Sequence, residues 1–110
     1  MKMKIEMTLI NKGGRFSADG IYDGEKVIVK KGGHINPNFA TSIRGGKLSK
    51  QYRADRSHVS EKFEIVNDCV FKSPSTAAQF VTGRSVDGYN AWKVSSGKSL
   101  GEYLKEKGLR

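Results

Sequence analysis

Met3, Ile5, Met7 and Leu9 alternate strictly with Lys2, Lys4, Glu6 and Thr8. A period of two sends every second side chain to the same side, so this stretch reads as a half-buried strand. The chain supplies partners for it directly. After a turn at Asn11 to Gly14, the segments Arg15 to Tyr22 and Glu25 to Lys31 flank Asp23-Gly24. That pair is the two-residue signature of a tight hairpin whose central residues need positive φ. Val27-Ile28-Val29 is apolar on both sides, which predicts a central position in the sheet.

Gly32 to Gly46 is a long polar loop with four glycines and Pro37, and loops of that length inside a small domain are usually functional. Lys47 to Val59 fits a helix. At about 100° per residue, Leu48, Tyr52 and Val59 fall on one side, with Lys47, Lys50, Arg53 and Arg56 spread over the other. Lys62 to Val66 and Cys69 to Phe71, broken by Asn67-Asp68, are read as short strands or a small hairpin. Ser73-Pro74 then opens a helix. Serine is a good N-cap, and proline at the first helical position lacks an N–H that would have no partner there anyway. Ala77, Ala78, Phe80 and Val81 form its buried face and Gly83 ends it. A turn follows at Asp87-Gly88, and Trp92 reads as a core residue beside the last helix, with a base-stacking platform as the alternative. Ser99-Leu100-Gly101-Glu102 is a capping box opening a last helix. The expected fold is a single α+β domain over 1–110: a small antiparallel sheet, from the N-terminal strand plus hairpin and further short strands, with a basic helix and two C-terminal helices.

The 110 residues hold 20 Lys+Arg against 11 Asp+Glu, a net charge of +9, which points toward polyanions, nucleic acid first. Between Lys30 and Arg56 stand seven cations (Lys30, Lys31, Arg44, Lys47, Lys50, Arg53, Arg56) and one acid, Asp55, giving that window +6 of the +9. No apolar run approaches the roughly 20 residues that span a bilayer, so no membrane partner is expected. The charged, alternating N-terminus lacks a signal-peptide core, and the expected location is the cytoplasm. Cys69 is the sole cysteine, which excludes an intrachain disulfide framework.

Phe71-Lys72-Ser73-Pro74-Ser75-Thr76-Ala77-Ala78, Gly83-Arg84-Ser85, Asp87-Gly88-Tyr89, Trp92-Lys93 and Gly97-Lys98-Ser99-Leu100 occur in that order. This dense series resembles a domain of unknown function found behind GIY-YIG endonuclease modules and in restriction-modification and methylase-associated proteins. It is similar to the RAMA (restriction enzyme adenine methylase associated) domain. Weaker similarity at Val27 to Ile35 extends the resemblance to roughly residues 15–105, with 71–100 as its core motif. Asp87 stands where the family pattern has Asn, Tyr89 where it has Trp, and Gly33 where it has Ser. The resemblance implies an accessory module linked to nucleic acid, with modified DNA as a proposed target; it does not imply cleavage or methylation.

Residue chemistry gives no catalytic set. Gly20-Ile21-Tyr22 spells half of the GIY-YIG signature without a Tyr-Ile-Gly partner. Gly45-Gly46-Lys47 lacks the P-loop spacing, although a glycine pair opening a helix leaves N–H groups suited to a backbone phosphate. His34 and His58 lie far apart with no third ligand at metal-binding spacing. Asp19 and Asp23 read as turn residues, Glu64 with Asp68 makes no convincing acid pair, and Cys69 reads as a buried inert thiol. Neither an enzyme nor a cofactor or metal is expected.

The expected role is therefore non-catalytic binding of nucleic acid, DNA in preference to RNA. Lys30, Lys31, Arg44, Lys47, Lys50, Arg53 and Arg56 would contact phosphates. His34, Asn36 and Asn38 in the loop, with Asp87, Tyr89 and Asn90, would discriminate. With about six phosphates neutralised, log affinity should fall against log salt with a slope of roughly −5. The alternative is a protein-interaction module docking on a nuclease, methylase or other defence enzyme, as a phage or mobile-element factor would.

Overall fold

A computed structural model describes residues 4–11, 13–40 and 47–109. Its strands are β1 (Ile5–Ile10), β2 (Ser17–Tyr22), β3 (Val27–Val29), β4 (Cys69–Phe71) and β5 (Lys93–Val94), and its helices α1 (Lys47–Ala54), α2 (Pro74–Thr82), α3 (Gly88–Ala91) and α4 (Leu100–Glu106). The strands form one antiparallel sheet in the order β4-β3-β2-β1-β5. The α+β class read from the sequence is the class observed.

The alternation of β1 sets the polarity of the whole sheet. Ile5, Met7 and Leu9 are buried and Glu6, Thr8 and Ile10 are exposed; Met3 lies outside the described residues. Register carries that polarity across, with Met7 opposite Gly20, Gly20 opposite Val29 and Val29 opposite Cys69. One face thus presents Ala18, Tyr22, Val27, Val29, Cys69 and Phe71 to the helices, all buried. On the other face stand Asp19, Ile21, Ile28, Val70 and Lys93, of which Asp19, Val70 and Lys93 are exposed. β3 is an inner strand, between β2 and β4, but the central one is β2. Ile28 is half-buried on that second face.

The hairpin turn is displaced by one residue from the expected Asp23-Gly24 centre. Asp23 N–H donates to Lys26 O at 3.2 Å, and the Asp23 carboxylate accepts the amides of Glu25 and Lys26 at 2.8 and 2.6 Å. Gly24 therefore leads the turn with a φ of 95°, and aspartate serves as its side-chain clamp.

α2 is the keystone. The Ser73 side chain accepts Thr76 N–H, Pro74 occupies the first turn, and Gly83 closes the helix in the left-handed region. Ala77, Ala78, Phe80 and Val81 are fully buried against the sheet. The segment predicted as a plain turn at Asp87-Gly88 is the one-turn α3, capped by Asp87, whose side chain accepts Tyr89 N–H. Asp and Asn are equivalent N-caps, which accounts for aspartate at this place in the motif. Gly88 packs straight onto the backbone of α2: a Cβ there would lie 2.1 Å from Pro74 C and 2.2 Å from Pro74 O. The Gly88 N–H donates to Ser75 Oγ at 3.0 Å. Trp92 is fully buried, as expected of a core residue, and its Nε1 donates to Pro74 O at 3.1 Å. Ser99 caps α4 by accepting Glu102 N–H.

Two further expectations change. The helix expected over Lys47 to Val59 ends at Ala54, because Asp55 turns the chain. Its carboxylate accepts Ser57 N–H at 2.9 Å and Ser57 Oγ–H at 2.7 Å, and its main-chain O accepts the amides of His58 and Val59. Val59 leaves the helix and pairs with Ile65. Lys62 to Val66 contributes isolated bridges at Glu64 and Ile65 and no named strand.

Candidate nucleic-acid interface

The cations expected on one surface are divided among several settings. Arg53 is the clearest case. Its Nε donates to Phe80 O at 3.1 Å, and one turn earlier Ser49 Oγ donates to Thr76 O at 3.2 Å. Ser49 is fully buried, so the packed side of α1 is rotated toward Ser49 and Arg53, while Leu48 and Tyr52 are half-buried. Burial pulls the Arg53 guanidinium down to about 10, below its ordinary value. The expectation that Arg53 lies on the wet side is corrected by the polar demand of α2: its last carbonyls need donors.

Those carbonyls also claim Asn36. Val81 O accepts the Asn36 main-chain N–H at 2.9 Å, and Thr82 O accepts its side-chain amide at 2.9 Å. Asn36 is 8 % exposed, a capping residue in a docked loop and not a free reader. Asn38 is exposed; its amide donates to Asn36 Oδ1. His34 bridges Ser17 and Glu64 through its backbone, with Nε2 3.1 Å from Gly14 O. The half of the loop expected to insert into a groove is therefore pinned at Ile35, Asn36 and Ala40, whose N–H donates to Gly83 O at 2.8 Å.

Lys30 follows β3 and lines a hollow of ≈ 290 Å³ on the open sheet face with Lys93, Glu6, Asp19, Thr8 and Ile21. Two carboxylates stand there against two lysines. Lys31 borders a neighbouring hollow near Asp19, and its backbone N–H donates to Asp68 Oδ1 at 2.8 Å. Arg56 is exposed beyond α1, with Nη1 3.5 Å from both Arg53 O and Val59 O. Tyr89 is half-buried against the core. Asn90 Nδ2 donates to Asp87 Oδ2 at 3.3 Å, and Asn90 borders a separate hollow with Ser99, Gly101, Glu102 and Lys105. Arg44 lies outside the described residues, as do Gly45 and Gly46.

Lys47 and Lys50 remain together on the outer side of α1. Lys47 meets a cation that the charge-window reading missed: Lys72, directly before the Ser73 cap. The two line a hollow of ≈ 380 Å³ with Leu48, Gln51 and Thr76, so its lining carries two lysines, an amide, a hydroxyl and no carboxylate. Lys72 was concealed because the sequence around it reads as helix capping. Its signal was position, since a residue preceding the cap shares the end of α2 toward which helix-dipole charge is positive.

Other chemistry is accounted for locally. Cys69 is fully buried, and burial, followed by the charges of Asp68 and Asp55, pushes its thiol up to about 12. His58 Nδ1 lies 2.8 Å from Asp55 Oδ2. Gly20 and Tyr22 serve the sheet: a Cβ on Gly20 would meet the Trp92 ring at 3.2 Å, and Tyr22 donates its hydroxyl to Gly24 O. No helix among the described residues is long and apolar enough to cross a membrane.

A family model matches residues 9–104. The chain belongs to the family described as Domain of unknown function (DUF4357). No curated protein and no solved structure matches it. The matched span takes in β2 through β5 and most of α4, and within it Ser73, Pro74, Ser75, Gly88 and Trp92 have the packing and capping roles described above. They lock α2, α3 and the last strand together.

Proposed function

We propose that this DUF4357 chain is a non-catalytic accessory module that binds nucleic acid, DNA in preference to RNA, in the setting of restriction-modification or modified-base recognition. The single observation carrying this reading is the acid-free hollow between α1 and the start of α2, where Lys47 and Lys72 converge with Gln51 and Thr76. Lysines act there as point charges on phosphate, and the neutral groups donate hydrogen bonds. Lys50 extends the cationic side along α1, and the overall +9 supplies long-range attraction. The restriction-modification setting rests on the resemblance of the Ser-Pro-Ser-x-Ala-Ala to Gly-Lys-x-Leu series to RAMA-like domains, and on that alone.

The geometry lowers the expected salt dependence. With Arg53 bonded to α2 and Lys30 and Lys31 set among carboxylates, the contacts proposed at the hollow are Lys47, Lys50 and Lys72, with Arg56 beyond the end of α1 and Arg44 outside the described residues. Three contacts give a slope of log affinity against log salt of about −3, in place of about −5. Anisotropy titrations of a labelled DNA duplex between low and physiological salt read this directly. Lys47→Glu with Lys72→Glu should abolish binding while the melting temperature holds. A flat salt response, or unchanged binding by that double variant, would reject the reading.

A further inference from the structure

Phe39 lies in the docked part of the loop and is half-buried, yet it belongs neither to the hydrophobic core nor to the half-buried apolar residues packed against it. Its ring is placed among cations. Arg53 Cζ is 4.7 Å from the ring centroid and Lys50 Nζ is 5.9 Å away. Arg53 is fixed beside the ring by its Nε bond to Phe80 O. A half-buried aromatic ring outside the core cluster, with a planar guanidinium and an ammonium beside it, continues the cationic side of α1. Aromatic rings and guanidinium planes are the surfaces on which unpaired bases stack, and the stacking tolerates any base.

We propose that Phe39, with Arg53 and Lys50 beside it, is a stacking platform for an unpaired DNA base. The inference rests on the nucleic-acid reading and deepens it. Lys50 is one helical turn from Lys47 on the same side of α1, so a strand held by its phosphates at Lys47 and Lys72 runs toward the ring. The preferred ligand is accordingly DNA in which at least one nucleotide has left the helix.

The test compares two labelled DNAs at one low salt concentration, a perfect duplex and the same duplex with a single bulged thymine. The wild-type chain should bind the bulged DNA about tenfold more tightly, the order expected of one stacked base. Phe39→Leu should erase that preference and leave duplex affinity unchanged, whereas Phe39→Trp should keep it. With 5-iodouracil as the bulged base, photocrosslinking should mark the peptide holding Phe39. Equal affinity for the two DNAs, a preference that survives Phe39→Leu, or a crosslink elsewhere overturns the platform while duplex binding keeps the nucleic-acid reading intact. Failure to bind either DNA removes both. Thermal melting of both variants monitors the fold, and if the leucine chain fails to fold, the tryptophan variant and the crosslink decide.

Discussion

Arg53 and Asn36 hold the same helix end: the Arg53 guanidinium takes Phe80 O, while Asn36 takes Val81 O and Thr82 O through its main-chain and side-chain N–H groups. With Gly83 N–H on Gln79 O, each of the last four carbonyls of α2 has a donor. Residues that a charge or polarity argument assigns to a ligand are thus employed at a helix C-terminus, where a cation also opposes the helix dipole. Asn36→Ala, which leaves Thr82 O without its donor, should cost about 1–3 kcal/mol in urea unfolding, and Arg53→Leu a similar amount. The two losses should fall short of additivity when combined, since both act on one helix end. Arg53→Leu should also leave the salt slope for duplex DNA unchanged, whereas Lys72→Ala should reduce its magnitude by about 0.9. A slope that falls equally in both variants would return Arg53 to the phosphate surface.

Gly88 carries a different constraint. Any Cβ at that position would sit 2.1 Å from Pro74 C and 2.3 Å from Ser75 N, and these are backbone atoms that cannot rotate away. Gly88→Ala should therefore destabilise the protein by about 3 kcal/mol or more, at the upper end of overpacking costs. Gly97→Ala is the control, because Gly97 has a φ of 88° but open space around its Cβ position, and it should cost about 1 kcal/mol. Thermal melts of the two variants side by side give the comparison. Equal losses would mean that the α2–α3 contact is looser than the geometry states.

The sheet and α2 were legible because their signals are local. Alternation at Ile5, Met7 and Leu9, and the Ser73-Pro74 cap with Gly83, state both element and orientation within a few residues. The long charge window was not legible as a surface, because what becomes of Arg53 depends on carbonyls at Phe80 and what becomes of Lys30 depends on Asp19 in a paired strand. Lys72 went unnoticed for the converse reason: its partner, Lys47, is distant in the chain. Asp55 shows the limit for boundaries. Helical periodicity continues in register to Val59, yet one carboxylate bonded to Ser57 and His58 ends the helix, and side-chain capping of that kind outranks periodicity.

Asp55 also sets a pH dependence. The Ser57 hydroxyl, the Ser57 amide and His58, in that order, hold its carboxyl down at about 2, below the usual 3.8. A depressed carboxyl stabilises the folded chain once the unfolded form has also ionised, so the contribution is complete above about pH 4 and is lost as pH falls toward 2. Asp55→Asn removes the ionisation. The melting-temperature difference between wild type and this variant should be constant from pH 5 to 7 and shrink progressively between about pH 4 and 2. A difference that stays level throughout that acid range would show that the Ser57 and His58 bonds do not depend on the charge.

Tyr52 protects the edge of the sheet. β4 is the outer strand beside β3, and Val70, 41 % exposed, turns its backbone N–H and O away from that partner. The Tyr52 hydroxyl takes both, accepting Val70 N–H at 3.1 Å and donating to Val70 O at 3.4 Å. Its ring is held edge-on against Phe71, Phe80 and His58 at centroid distances of 5.2, 6.0 and 4.8 Å, so the hydroxyl stands ready without further ordering. Unprotected edge strands invite pairing with another chain. Tyr52→Phe keeps the ring and removes the plug. It should cost about 1 kcal/mol in unfolding free energy and introduce concentration-dependent self-association visible by sedimentation velocity. Replacement of Val70 by proline in the Tyr52→Phe background should suppress that association, because proline offers no N–H to an incoming strand. If the phenylalanine variant sediments as the wild type does at every concentration, the edge is guarded by something other than Tyr52.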